Sequence, residues 1–86
     1  MSKRKSFRAV VSIDNKTLKE VRFSVGSEDS AANIKDAMDG AFDGSWSGDS
    51  VSAILWIGGK INIYCGSLSH SVKSASEGWR WVVANK

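Results

Sequence analysis

The chain has 86 residues, 42% of them hydrophobic and 24% charged, with a formal charge of +3. That size and mix point to one folded domain with a modest core, and exclude a wholly disordered chain. The longest apolar run, residues 53–59, is far short of the ~20 residues that span a bilayer, and the basic start MSKRKSF leads into no apolar signal segment.

A cytoplasmic setting is therefore expected, and the single cysteine, Cys65, agrees with a reducing compartment. Charge falls in blocks. Residues 3–22 carry seven basic and two acidic side chains, residues 23–59 set Lys35 against six acids, and residues 60–86 return to an excess of +3. The blocks suggest a basic sheet or edge beside an acidic helix.

Residues 1–6 read as a flexible basic arm, followed by one α+β domain over residues 7–86. Phe7, Ala9, Val11 and Ile13 alternate with Arg8, Val10 and Ser12, the period of a half-buried strand. Val21, Phe23 and Val25 repeat the pattern. A five-residue loop over residues 14–18 would set Val11 opposite Val21, Ala9 opposite Phe23 and Phe7 opposite Val25.

Residues 27–42 read as a helix, with Ala31, Ile34, Met38, Ala41 and Phe42 on one face. Ser27 is its expected N-cap, and Glu28 and Asp29 suit the first turn. A polar loop follows over residues 43–50, with Trp46 inside it. Residues 51–57 and 61–65 read as strands joined by Gly58-Gly59 in a tight hairpin, with Trp56 opposite Ile61 and Ile54 opposite Ile63. Residues 66–77, rich in serine, fit loop or irregular strand, although Leu68, Val72 and Ala75 could line a short helix. Residues 78–84 read as a closing strand, with Trp79, Trp81 and Val83 alternating with Arg80 and Val82. The expected fold is an α+β two-layer sandwich, an antiparallel sheet of about five strands in the order β-β-α-β-β-β with one helix on one face.

Catalytic constellations fail on counting. With one histidine, His70, and one cysteine, no zinc site of Cys and His ligands can be assembled. His70 lies five residues after Cys65 with no orienting motif. Gly58-Gly59-Lys60 lacks the earlier glycine and the following Ser or Thr of a phosphate loop. No enzyme, metal or cofactor is expected.

Four tryptophans in 86 residues are more than a small core needs. Trp46, flanked by Gly44, Ser45, Ser47 and Gly48, is either an exposed interface anchor or a plug over the sheet edge. Trp79 and Trp81 would share one side of a strand with Arg80 behind them. The first expectation is thus a non-catalytic protein that docks onto a macromolecule, chiefly a protein, through Trp46, Trp79, Arg80 and Trp81. Accessory subunits and inhibitors of larger enzymes, often encoded by phages or mobile elements, have this character. The alternative is single-stranded nucleic-acid binding through Lys3, Arg4, Lys5, Arg8 and Arg22 with exposed aromatics. A third expectation is a homodimer through an edge strand, with residues 78–84 pairing across a two-fold axis.

Overall fold

The computed structural model describes residues 4–44 and 46–86. The chain opens with a long antiparallel hairpin, β1 (Arg4–Ile13) and β2 (Lys16–Gly26). Its turn is Asp14-Asn15, both left-handed with φ of 53° and 62°, a conformation that Asp and Asn tolerate and that matches the twist of paired strands. The expected five-residue loop is therefore a two-residue turn, and the strands slide: Phe7 faces Phe23 and Ala9 faces Val21. Val11 faces Lys19 just before an irregularity between Val11 and Ser12. Because the slip is an even number of residues, the side-chain faces survive it, and Phe7, Ala9, Val11, Val21 and Val25 are buried together. Arg4, Lys5 and Ser6, assigned from sequence to the arm, are already strand, opposite Gly26, Val25 and Ser24; residues 1–3 lie outside the described residues.

Helix α1 (Ala31–Ala41) is shorter than the periodicity suggested. Ser30, and not Ser27, is its N-cap, accepting from the Asn33 amide at 3.2 Å. Asp29 instead closes the end of β2: its amide donates to the Gly26 carbonyl, and its carboxylate accepts from the Gly26 amide at 2.8 Å. The apolar stripe packs as expected, with Ile34, Met38 and Phe42 in the core.

Residues 51–57 are not a strand. Residues 51–56 belong to helix α2 (Gly48–Trp56), with Ile57 as its C-cap; Ser47 caps its start by accepting from the Ser50 amide, and Asp49 lies in the first turn, where the helix dipole favours an acid. Val51, Ile54 and Leu55 pack inward, while Trp56 and Ile57 are 90% and 62% exposed. Gly58-Gly59 consequently ends a helix instead of turning a hairpin. Gly58 is left-handed with φ 84°, its amide donates to the Leu55 carbonyl, and the Gly59 amide reaches the Ile54 carbonyl at 2.8 Å. This pair of bonds is the Schellman closure that satisfies the last carbonyls of a helix.

Strand β3 (Lys60–Cys65) then runs antiparallel to β1, with Ile61 opposite Val11 and Ile63 opposite Ala9. A turn through left-handed Gly66 leads to β4 (Leu68–Ser71), inside the stretch read from sequence as loop or irregular strand. The chain ends in helix α3 (Ala75–Ala84), in place of the predicted closing strand. Ser74 accepts from the Glu77 amide at 3.2 Å, and the Glu77 carboxylate reaches back to the Lys73 amide at 3.1 Å. The Ser74 cap, with Glu77 also holding the amide of the residue before it, starts a helix despite the alternation of Trp79, Trp81 and Val83.

The fold is α+β, as expected, with four strands in the order β2-β1-β3-β4 and three helices in place of five strands and one helix. The inward rows of β1, β2 and β3 form one core with Ile34, Met38, Val51 and Val82 of the helices. The other sheet face is bare.

The Gly58-Gly59 closure is tight. A Cβ at position 59 would lie 2.7 Å from the Ile54 carbonyl oxygen and 2.6 Å from its side chain. Gly59→Ala is therefore expected to destabilise the protein by ~1–3 kcal/mol in denaturant unfolding, as overpacking does. Ser52→Ala on the exposed side of α2 should stay within ~0.5 kcal/mol of wild type. Equal unfolding midpoints for the two variants would contradict this helix ending.

Candidate functional site

Strand periodicity places Arg8, Val10 and Ser12 of β1 on the face opposite the core, and β2 adds Glu20, Arg22 and Ser24. β3 adds Lys60, Asn62 and Tyr64 to the same face. Arg8 stands opposite Arg22 on one side and Tyr64 on the other, so the three form a row across the middle of the sheet. The Arg8 guanidinium carbon lies 4.7 Å from the centre of the Tyr64 ring, within cation–π range. Glu20 accepts ion pairs from both arginines, at 3.5 Å from Arg8 and 3.6 Å from Arg22. Arg4 joins the face by donating to the Ser24 hydroxyl and carbonyl. Arg4, Arg8, Arg22 and Lys60 thus oppose Glu20, and the Arg22 side chain is 78% exposed.

Acids gather elsewhere: Asp36 and Asp39 on α1, Asp43 after it and Asp49 on α2. The basic block of the sequence thus becomes a basic sheet face, while the helical side carries these acids together with Lys5, Lys19, Lys35, Arg80 and Lys86. Of the basic residues singled out from sequence, Arg4, Arg8 and Arg22 meet on the bare face. Lys5 does not: its ammonium donates to the Asn85 carbonyl at 3.0 Å, tying β1 to the end of α3. Lys3 lies outside the described residues. Sequence reasoning missed Tyr64 and Lys60, because pairing residues 61–65 with 51–57 hid their proximity to β1.

The proposed aromatic anchors are differently placed. Trp46 is only 5% exposed and takes the plug position. Its indole Nε1 donates to the Ala75 carbonyl at 3.1 Å, its amide donates to the Asp39 carboxylate at 3.2 Å, and its ring packs against Phe42 at 4.8 Å between centres. Trp81 stacks on His70 at 5.3 Å and meets Phe7 edge-on at 6.1 Å. Trp79 is half-buried, with the exposed Arg80 guanidinium 5.7 Å from its ring. Since residues two apart on a helix diverge, Trp79 and Trp81 do not form the single strip that a strand would give.

Trp56, which the sequence pattern places on a strand opposite Ile61, is instead the most exposed large apolar side chain among the described residues. On the same helix, Val51 and Ile54 line an apolar groove of about 430 Å³ with Val11, Leu18, Phe42 and Trp46. His70 is engaged by the Glu77 carboxylate at 2.8 Å. Among the described residues no three or more His, Cys, Asp or Glu side chains gather as a metal-ligand set, and no helix is long and apolar enough to cross a membrane. No family model matches the chain, and neither a curated protein nor a solved structure matches it.

Trp46→Ala removes a buried ring and its hydrogen bond, and is expected to lower stability by ~3–5 kcal/mol. Gly78→Ala should act in the same direction, because its Cβ would lie 2.6 Å from the Trp46 ring. Thermal unfolding checks both, and a Trp46→Ala variant that melts with wild type would contradict the plug.

Proposed function

We propose that this protein is a non-catalytic binding module that receives a single-stranded nucleic acid on its bare sheet face. The row Arg22–Arg8–Tyr64, on a sheet surface that no helix covers, carries the proposal. Sequence-tolerant binders of single strands combine cations that track phosphates with aromatic rings on which bases stack. Here Arg4, Arg8, Arg22 and Lys60 supply the cations and Tyr64 the ring. Glu20 does not block such a ligand: its pairs with Arg8 and Arg22 are solvent-exposed, and exposed ion pairs are worth ~0–1 kcal/mol, so phosphates can replace the carboxylate. The emphasis shifts from the tryptophans because Trp46 and Trp81 are committed to internal packing.

Fluorescence anisotropy with a labelled oligothymidylate tests the proposal. Binding is expected at low salt and should weaken steeply as salt rises, because each phosphate contact on a single strand contributes about −0.7 to the slope of log K against log salt. Arg22→Ala should flatten that slope by about one contact's worth. Tyr64→Ala should weaken binding by ~1–3 kcal/mol. Absence of binding at low salt would remove the proposal, and so would affinity that Arg22→Ala and Tyr64→Ala leave unchanged.

One observation favours docking onto a protein as a second reading: Trp56 presents its ring to solvent at 90% exposure, beside Ile57 at 62%. A partner that covered α2 would use Trp56 as a central contact, as suits an accessory subunit or inhibitor. Trp56→Ala should then leave folding within ~0.5 kcal/mol of wild type while weakening the partner by ~2 kcal/mol or more. Affinity purification from the native host with both proteins makes the comparison, and equal recovery of every partner would exclude α2 as the contact.

A further inference from the structure

We propose that the open edge of β2 is occupied by a second copy of this chain, the two β2 strands pairing antiparallel about a two-fold axis at Val21. β2 is eleven residues long and stands at the edge of the sheet. Long edge strands present unpaired amides and carbonyls that template another strand, and they are ordinarily shortened, bulged or interrupted by proline. The opposite edge follows that rule, since β4 has four residues. β2 is bulged at Leu18, where Val11 pairs with Lys19 and Ser12 with Thr17, and Asp29 takes the amide and carbonyl of Gly26, but residues 19–25 between these ends are regular and contain no proline. The homodimer expected from sequence through residues 78–84 is not available, because those residues are helical.

The order of charges along β2 selects one register. A two-fold axis normal to the sheet must pass through a residue position, where that residue faces its own copy. At Lys19, Glu20 or Arg22 the axis would set like charges against each other. At Val21 it sets valine against valine and Glu20 against Arg22 of the second copy, twice. The same register brings Lys19 beside Phe23, both on the core side of the sheet, so the regular stretch of the strand is paired about Val21. An axis at Leu18 falls on the bulge, and one at Phe23 avoids like charges but brings no opposite charges together. Glu20 and Arg22 lie on the bare face, where their cross-strand partners are directly reachable, and opposite charges so placed stabilise a sheet.

Both helical layers then lie on the same side, and the two bare faces join into one continuous surface. The dimer does not depend on nucleic-acid binding and is measured without it.

Sedimentation velocity of the full chain over a range of concentrations tests the proposal. Wild type should show a monomer–dimer equilibrium. Glu20→Arg turns each of the two cross-strand pairs from attraction to repulsion and should raise the dimer dissociation constant about tenfold, as should Arg22→Glu. Mixing the two variants restores opposite charges at both pairs, so a heterodimer at least as tight as the wild-type dimer is expected from two proteins that associate poorly alone. Thermal unfolding of each variant separates weaker association from weaker folding. A wild-type chain that remains monomeric at its solubility limit would overturn the proposal. So would a dimer indifferent to the single charge reversals, or a mixture that associates no better than its components.

Discussion

The contact on which the helical layer depends is the Trp46 ring seated against Gly78. Any side chain at position 78 would start 2.6 Å from that ring, so α3 can approach the α1–α2 connection only where it carries no Cβ. The indole then finds a partner for its N–H at Ala75, one turn earlier on the same helix. A large ring with a satisfied donor is well suited to this place: it fills volume without leaving a buried polar group unpaired. Around it, Phe42 from the end of α1 and Val72 from the entry to α3 complete the seam.

Because that seam gathers the three helices over one face of the sheet, the other face has only water to meet. Polar side chains at alternate positions of β1, β2 and β3 are the consequence, but their charge is not a requirement of folding. Serine or threonine would solvate the sheet equally well. Instead, arginines stand opposite each other at positions 8 and 22, a like-charged pairing that costs stability unless something neutralises it. Glu20 does so within the chain, and a phosphate backbone would do so in a complex.

Much of this was legible in the sequence. The period-two rows of β1 and β2 revealed which residues share a face, and the slip in register left that face intact because it was even. The stripe Ile34, Met38, Phe42 located α1. Legibility ended where an apolar run was too short and too uniform to show a period. Residues 51–57, VSAILWI, suit a buried strand by composition, and the decisive signals sat outside the run: Ser47 capping the start, and two glycines closing the end as a Schellman turn. In the same way WRWVV alternates like a strand, yet Ser74 and Glu77 lie at capping-box spacing just before it. Those two errors carried over to the site. A sheet with wrong neighbours separated Arg8 from Tyr64, whereas the correct pairing of β1 with β3 sets them in contact. The burial of Trp46 was open in the sequence because its partners, Ala75 and Gly78, are distant in the chain and their helix was not foreseen.

The central claim is that a one-sided helical layer leaves a basic sheet face as the binding surface. Amide chemical-shift mapping of the isotopically labelled protein, titrated with a short oligothymidylate at low salt, addresses it most directly. The account predicts perturbations at Arg8, Val10, Arg22, Asn62 and Tyr64, with α2 and the exposed side of α3 unmoved. Perturbations centred on Trp56 and Ile57, or a spectrum that does not change, would contradict it.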